Sequence, residues 1–242
     1  MCTVTYLPVN KKEFILTSNR DEDILRQSAL PISEYQVQNK TVFYPKDPKA
    51  NGTWIAYGLH GFTLCLLNGA VHPHIKKGEY VKSRGLVLLD FYTYNDPEIF
   101  ANQYDFTGIE PFTLIMAYSC VETNKVLLYE LKWDEVNAKL INHDSSLPHI
   151  WSSVTLYSQE IISQRESWFN SWLGNNEGCS VDDILFFHHF GGSGSTENDL
   201  VINRGNKKTV SICCICKKDM FTEIIYEDLV NRKRYKNRVI NC

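Results

Sequence analysis

The chain has 242 residues, 43% hydrophobic, 22% charged and 12% aromatic, with 25 basic against 28 acidic side chains and a formal net charge of -3. That apolar content, with only 13 Gly and 8 Pro, excludes disordered, collagen-like and low-complexity chains. Near-neutral charge removes the general electrostatic case for nucleic acid or a membrane surface, and no apolar run approaches the ~18 residues of a spanning helix.

Strand patterns come first. Residues 2–7 and 13–18 are rich in Thr, Val, Ile and aromatics and are separated by the turn-forming stretch Pro8 to Lys12, so they predict an antiparallel hairpin. Further strands are expected at 41–44, 53–58, 62–68, 112–119 and 125–131. Asp96-Pro97 supplies an N-cap followed by proline at the first helical position, ahead of Ile99, Phe100 and Tyr104. Ser158 to Leu173 carries Ile161, Ile162, Arg165, Trp168, Phe169 and Trp172 at helical spacing and ends at Gly174. Ser180 with Asp183 caps a second helix, Ile184 to Phe190, which Gly191-Gly192 stops. Strands return at 209–216 and 220–226. Sequence-adjacent strands with grouped helices imply an α+β layered protein of mostly antiparallel sheet, in one domain over 1–242.

Cys2 is the most informative residue. Removal of Met1 is chemically easy before a small residue and leaves a thiol and a free α-amine on one carbon. Their ordinary pKa values of ~8.5 and ~7.7–8.0 let the amine accept the thiol proton near neutral pH, so no separate histidine base and no cofactor is required. If the hairpin pairs about the centre of its turn, Cys2 falls opposite roughly position 18, beside Asn19, Arg20, Asp21 and Glu22. In that position Arg20 stabilises a thiolate and Asp21 orients the α-ammonium or a substrate amine. The bland alternative for these four residues is a solvated charged turn.

Met1-Cys2-Thr3, the block Ser18-Asn19-Arg20-Asp21-Glu22, Gly52-Thr53-Trp54 and Leu66-Leu67-Asn68-Gly69 together resemble the NRDE family, also called the transport and Golgi organization protein 2 family. That family is similar in turn to the N-terminal nucleophile hydrolases of the bile salt hydrolase and penicillin V acylase group. The resemblance implies a four-layer αββα sandwich and cleavage of a non-peptide C–N amide bond. It makes Cys2 the nucleophile, Arg20 the cation that tunes it, Asp21 the anchor near the α-amine and Asn68 a backbone oxyanion-hole donor, with Asn19 beside the substrate. The hydrolases carry a second asparagine where this chain offers Ser152-Ser153, which enters Ser153 as a substrate-binding residue and sets the hydrolytic reading against a second one. In that second reading the protein binds or traffics a hydrophobic metabolite such as haem or an acyl-CoA. Arg204, with Lys207 and Lys208 close by, is the approximate counterpart of a late arginine of the group.

Other signals have plainer readings. His72-Pro73-His74 and His188-His189 lack a second cluster at ligand spacing, so no metal is expected. Cys213, Cys214 and Cys216 read as buried strand thiols, and the eight cysteines are too dilute for a disulfide scaffold. Without a secretory apolar stretch at its start, the chain is expected in the cytoplasm, where the glycosylation-type triplets at Asn39 and Asn51 have no meaning. Gly191 to Ser195 reads as a mobile loop, and the basic run Arg232 to Arg238 as a solvated tail. Trp151, Tyr157, Trp168, Phe169 and Trp172 either line an apolar pocket or form core.

Overall fold

The computed structural model describes residues 3–59, 61–120, 122–176 and 180–241. Two antiparallel sheets carry the molecule. The first has the order β10-β1-β2-β11-β12-β13, built from β1 (Thr3–Pro8), β2 (Phe14–Asp23), β10 (His149–Ser152), β11 (Lys207–Lys217), β12 (Phe221–Asp228) and β13 (Lys233–Ile240). The second runs in sequence order through β3 (Leu30–Val37), β4 (Lys40–Lys46), β5 (Ile55–Gly58), β6 (Phe62–Asn68), β7 (Phe112–Cys120), β8 (Lys125–Trp133) and β9 (Ala138–His143).

Alternation along each strand explains the layering, because successive side chains leave opposite faces. Val4, Tyr6, Phe14, Leu16, Cys213, Ile215, Ile224 and Tyr226 of the first sheet join the second sheet in one large core. The intervening residues Leu7, Ile15, Ile212, Cys214, Cys216 and Ile225 face outward and pack under α3 (Gln159–Asn175) and α4 (Val181–Phe190). Phe169, Trp172 and Phe187 interlock there, with ring centroids 5.1–6.0 Å apart. These helix aromatics therefore form core, whereas Trp151 stacks on His149 at the sheet edge. On the other side, α1 (Arg84–Tyr94) and α2 (Pro97–Gln103) cover the second sheet, with Phe91 edge-on to Phe62. The result is helix, sheet, sheet, helix.

Four expectations change in detail. The hairpin register is Thr3 opposite Asn19, two residues beyond the centred pairing, because β1 runs on to Pro8, paired with Phe14, and the turn closed by Val9 N–H on Glu13 O is centred on Lys11. The basic run is an edge strand, β13, paired along its length with β12. Its alternating exposed Lys and Arg suit an unpartnered edge. Helix α3 passes through Gly174 to Asn175. The Gly191 to Ser195 segment is folded around Asp199, whose carboxylate accepts the amides of Ser193 (2.9 Å) and Gly194 (2.8 Å). No helix among the described residues is long and apolar enough to cross a membrane.

Candidate active site

Strand β2 sorts the four polar residues Asn19 to Glu22 onto its two faces. Arg20 and Glu22 line a polar cavity of about 450 Å³ at one end of the sandwich, together with Arg26, Asp47, Trp54, Asn68, Lys76, Arg84, Glu110 and Lys207. Asn19 and Asp21 point the other way, toward the helices α3 and α4. A larger cavity, about 630 Å³, lies by the opposite end of β1 among Pro8 to Lys11, Lys125 to Leu127 and Asn142 to Ser146, and none of the candidate residues borders it.

On the cavity side, Arg20 Nη2 donates to Asp47 Oδ2 at 2.6 Å, and Arg26 Nε donates to the same oxygen at 2.8 Å. The Arg20 guanidinium also lies 4.5 Å from the centroid of the Trp54 ring. Asp47 Oδ1 accepts the amides of Lys49 and Ala50 at 3.0 and 2.9 Å, which fixes the carboxylate to its own turn. Burial pulls the Arg20 pKa down, and the charges of Glu22 and Asp47 oppose that pull. For Asp47, burial pushes the pKa up, but the Arg26 hydrogen bond, the Ala50 amide and both guanidinium charges outweigh it and hold the carboxyl below its ordinary value. Across the cavity, Arg84 Nη2 meets Glu110 Oε2 at 3.0 Å, and His74 Nε2 meets Glu110 Oε1 at 3.1 Å.

Asn68 ends β6 and borders the same cavity. Ser153 Oγ donates to the Asn68 carbonyl at 2.7 Å and sits 2.9 Å from Thr155 Oγ1. A serine hydroxyl has one hydrogen. With that hydrogen on the Asn68 carbonyl, Ser153 supports Asn68 rather than reaching into the cavity.

On the helix side, Asn19 is fully buried and its carboxamide is saturated. Nδ2 donates to the carbonyls of His188 (3.1 Å) and Leu200 (2.7 Å), while Oδ1 lies 2.6 Å from His188 Nδ1. Its place is a clamp between β2 and α4, with no surface left for a substrate. Asp21 receives Tyr157 Oη at 2.5 Å and Thr209 Oγ1 at 2.6 Å. The Tyr157 ring lies 3.6 Å from the Arg165 guanidinium and 4.9 Å from that of Arg204. Arg204 is held by the carbonyls of Glu197 (2.6 Å) and Leu156 (3.1 Å) and does not border the cavity. Arg165 is fully buried; its Nη1 donates to Thr3 Oγ1 at 2.6 Å, and its remaining nitrogens donate to the carbonyls of Asn198 and Asp199.

The structure thus brings Arg20 and Asn68 to one cavity and puts Asp21 with Arg204 around Tyr157. Cys2 lies outside the described residues. Sequence reasoning missed Asp47, Arg26, Arg84 and Glu110, which line the cavity, and the buried Arg165 beneath Tyr157. A charged residue in a helix otherwise read for its apolar stripe was the available signal for Arg165; the others sit in segments with no local signature.

A sandwich of this layering defines a class of fold. Two variants of the conjugated bile acid hydrolase of Clostridium perfringens match with a TM-score of 0.58 at 11% identity, over 98% of this chain and 92% of theirs. The Caenorhabditis elegans ortholog of N-acylethanolamine-hydrolyzing acid amidase matches with a TM-score of 0.49 at 13% identity, over 88% of this chain and 92% of that one. The fold is the four-layer αββα sandwich of the N-terminal nucleophile hydrolases. No curated protein matches the sequence. The family model described as Transport and Golgi organisation 2 matches residues 1–188, and the chain belongs to that family.

Proposed function

We propose that the protein is an N-terminal cysteine amidohydrolase acting on the C–N amide bond of a small molecule. The observation that carries this reading is the pairing of Thr3 with Asn19. It sets the start of β1 against the residue before Arg20, while Arg20 lines a cavity that Asn68 also borders. Cys2 is the residue immediately before Thr3 in the sequence.

In the reaction, the α-amine of processed Cys2 takes the thiol proton, and the thiolate attacks the amide carbonyl. The tetrahedral oxyanion accepts the Asn68 backbone N–H, an interaction of a kind worth ~3 kcal/mol. Collapse breaks the C–N bond, returns the proton to the leaving amine and leaves a thioester on Cys2. Water then adds to the thioester, and the acid departs as the thiol is restored. Arg20 favours the thiolate and Asp21 the protonated amine. A reducing, cytoplasmic setting keeps the nucleophile a free thiol.

One observation favours a second reading. The Ser153 hydroxyl hydrogen is already on the Asn68 carbonyl, so Ser153 does not supply the second side-chain donor of an oxyanion hole. A protein that holds haem, an acyl-CoA or a similar metabolite without cleaving it fits that feature.

The test is intact mass of the native chain followed by timed iodoacetamide labelling. Loss of Met1, with Cys2 the fastest-reacting of the eight cysteines and turnover of acyl amides abolished by Cys2→Ala, supports the hydrolase. Retained Met1 removes the base and leaves the binding reading.

A further inference from the structure

The cavity beside Arg20 has more hydrogen-bond donors and positive charge than its own residues neutralise. Its acids are all engaged: Asp47 takes Arg20 and Arg26, Glu22 lies 3.5 and 3.7 Å from the same two arginines, and Glu110 takes Arg84 and His74. Lys76 and Lys207 line the cavity too, and neither forms an ion pair among the described residues. Two positive charges are therefore left over.

Beside Ala50, Gly52, Thr53 and Leu66, the remaining wall offers donors at one place. Helix α1 begins at the cavity, with Ser83, Arg84 and Gly85 all in its lining. The first amides of a helix have no intrahelical acceptor and carry the positive end of the macrodipole. Here the first turn has no acidic residue, and the Ser83 side chain makes no cap hydrogen bond. Ser83 Oγ is buried without a partner, and so is Trp54 Nε1, on a residue only 4% exposed. An indole N–H can only donate, so an acceptor is what would satisfy it. Buried polar groups are seldom left unpaired.

Two glycines make this convergence possible. A Cβ on Gly52 would stand 2.5 Å from the Gly85 carbonyl carbon, and one on Gly85 would stand 2.7 Å from the Thr53 carbonyl oxygen. Without side chains, the two segments touch, and Thr53 N–H donates to Gly85 O at 3.2 Å. The start of α1 is thereby seated next to Trp54.

We propose that this cavity is a built oxyanion site: a carboxylate or phosphate group of the ligand lies at the α1 N-terminus, bonded by the amides of Arg84 and Gly85, Ser83 Oγ and Trp54 Nε1, and neutralised by Lys76 and Lys207. The inference deepens the proposed function by naming the substrate class, an amide or metabolite that carries a negatively charged group. Helix N-termini with free amides suit such groups.

The experiment follows the Trp54 indole N–H in ¹H–¹⁵N spectra of the full chain, assigned through Trp54→Phe, during titration with inorganic phosphate or acetate at ionic strength fixed with chloride. The expected result is a saturable shift of the Trp54 signal with at least one anion, with Kd weakened about tenfold or more in Lys76→Gln/Lys207→Gln. The better of the two anions identifies the headgroup as phosphate or carboxylate. Failure of both to move the signal beyond the chloride blank overturns the site, and so does an undiminished affinity in the double variant. Melting curves of the variants confirm that each is folded. The same titration on Cys2→Ala separates this inference from the hydrolase reading, because none of the donors is Cys2. Anion binding without any amide turnover in the unmodified chain sinks the hydrolase alone.

Discussion

His188 gives the sharpest quantitative prediction, because its environment fixes its proton state. The ring is fully buried between β1, β2 and α4. Asn19 Nδ2 already donates to two carbonyls, so Asn19 Oδ1 is an acceptor, and His188 Nδ1, 2.6 Å away, must carry the proton. Nε2 is then the acceptor for the Thr5 hydroxyl at 2.7 Å. A neutral imidazole satisfies both contacts. Burial first, and then the positive charges of His189 and Arg165, push the His188 pKa down to about 3.

A depressed histidine makes the native state refuse a proton that the unfolded chain accepts. The unfolded value is ~6.5, so the native state is penalised progressively as pH falls from there toward the folded value of about 3. Integrated between pH 7 and pH 5, this one group removes about 2 kcal/mol of stability. In a chain of this size that loss lowers the melting temperature by roughly 4–8 °C. Glutamine keeps a donor and an acceptor but does not titrate. His188→Gln should therefore lower stability at pH 7 while flattening the pH 5–7 slope by that amount. Urea denaturation of both chains at pH 5, 6 and 7 measures it. An identical slope in the two would refute the buried, neutral assignment.

Asp47→Asn leaves two guanidiniums facing an uncharged amide and should cost about 3–5 kcal/mol at pH 7, read by denaturant unfolding. Because the Asp47 carboxyl is held below its ordinary value, its contribution is full above pH ~4 and is lost as pH falls through the folded value, so the variant should also lose part of the acid-unfolding transition. Gly85→Ala forces apart α1 and the Thr53 backbone, for a cost of about 1–3 kcal/mol in thermal unfolding. Glu22→Gln loses only ion contacts of 3.5 Å and longer on a part-exposed side chain and keeps an oxygen for the Asp23 amide, 2.9 Å away; it should leave stability within about 1 kcal/mol and tighten phosphate binding, measured by the Trp54 titration. Of the five described cysteines, Cys120 should react first with a disulfide reagent, since the Thr123 hydroxyl and amide pull its thiol down. Burial pushes Cys65 and Cys214 up to about 12, and they should react only on unfolding.

An α+β layered protein was legible from sequence-adjacent strands and grouped helices, and its four layers came from the family resemblance; the alternation of the first hairpin and of Thr209 to Cys216 accounts for their two faces. The missing pieces share physical causes. Helix α1 has no side-chain cap and no first-turn acid, and its aromatic, branched run Leu86 to Tyr94 reads equally well as a strand. β13 looked like a tail because an edge strand with water on one side can be made of charged residues. The register differs by two because the turn is centred on Lys11, and β2 continues through Asn19 to Glu22, where the second strand was expected to end at 18. Local propensity favours a turn for such a run, and what overrides it are partners at great sequence distance: His188 for Asn19, Asp47 for Arg20, Tyr157 and Thr209 for Asp21.

Those distant partners also explain how one short polar run serves two ends. On a strand, neighbours face opposite sides, so the run is two interleaved pairs rather than one cluster. Asn19 and Asp21 tie β2 to α4, to the Tyr157 ring and to β11, while Arg165 ties Thr3 of β1 to the segment at Asn198 and Asp199. Arg20 and Glu22, on the other side, set the charge of the cavity. A guanidinium in that wall is useful only if it cannot drift, and a strand pinned on its far face, with Asp47 gripping Arg20 at 2.6 Å, holds it in place. The polar pair facing the helices is thus the rigid backing for the pair facing the cavity. Exchanging Asn19 with Arg20 would put a guanidinium under the helices and leave Asp47 without its 2.6 Å partner in the cavity.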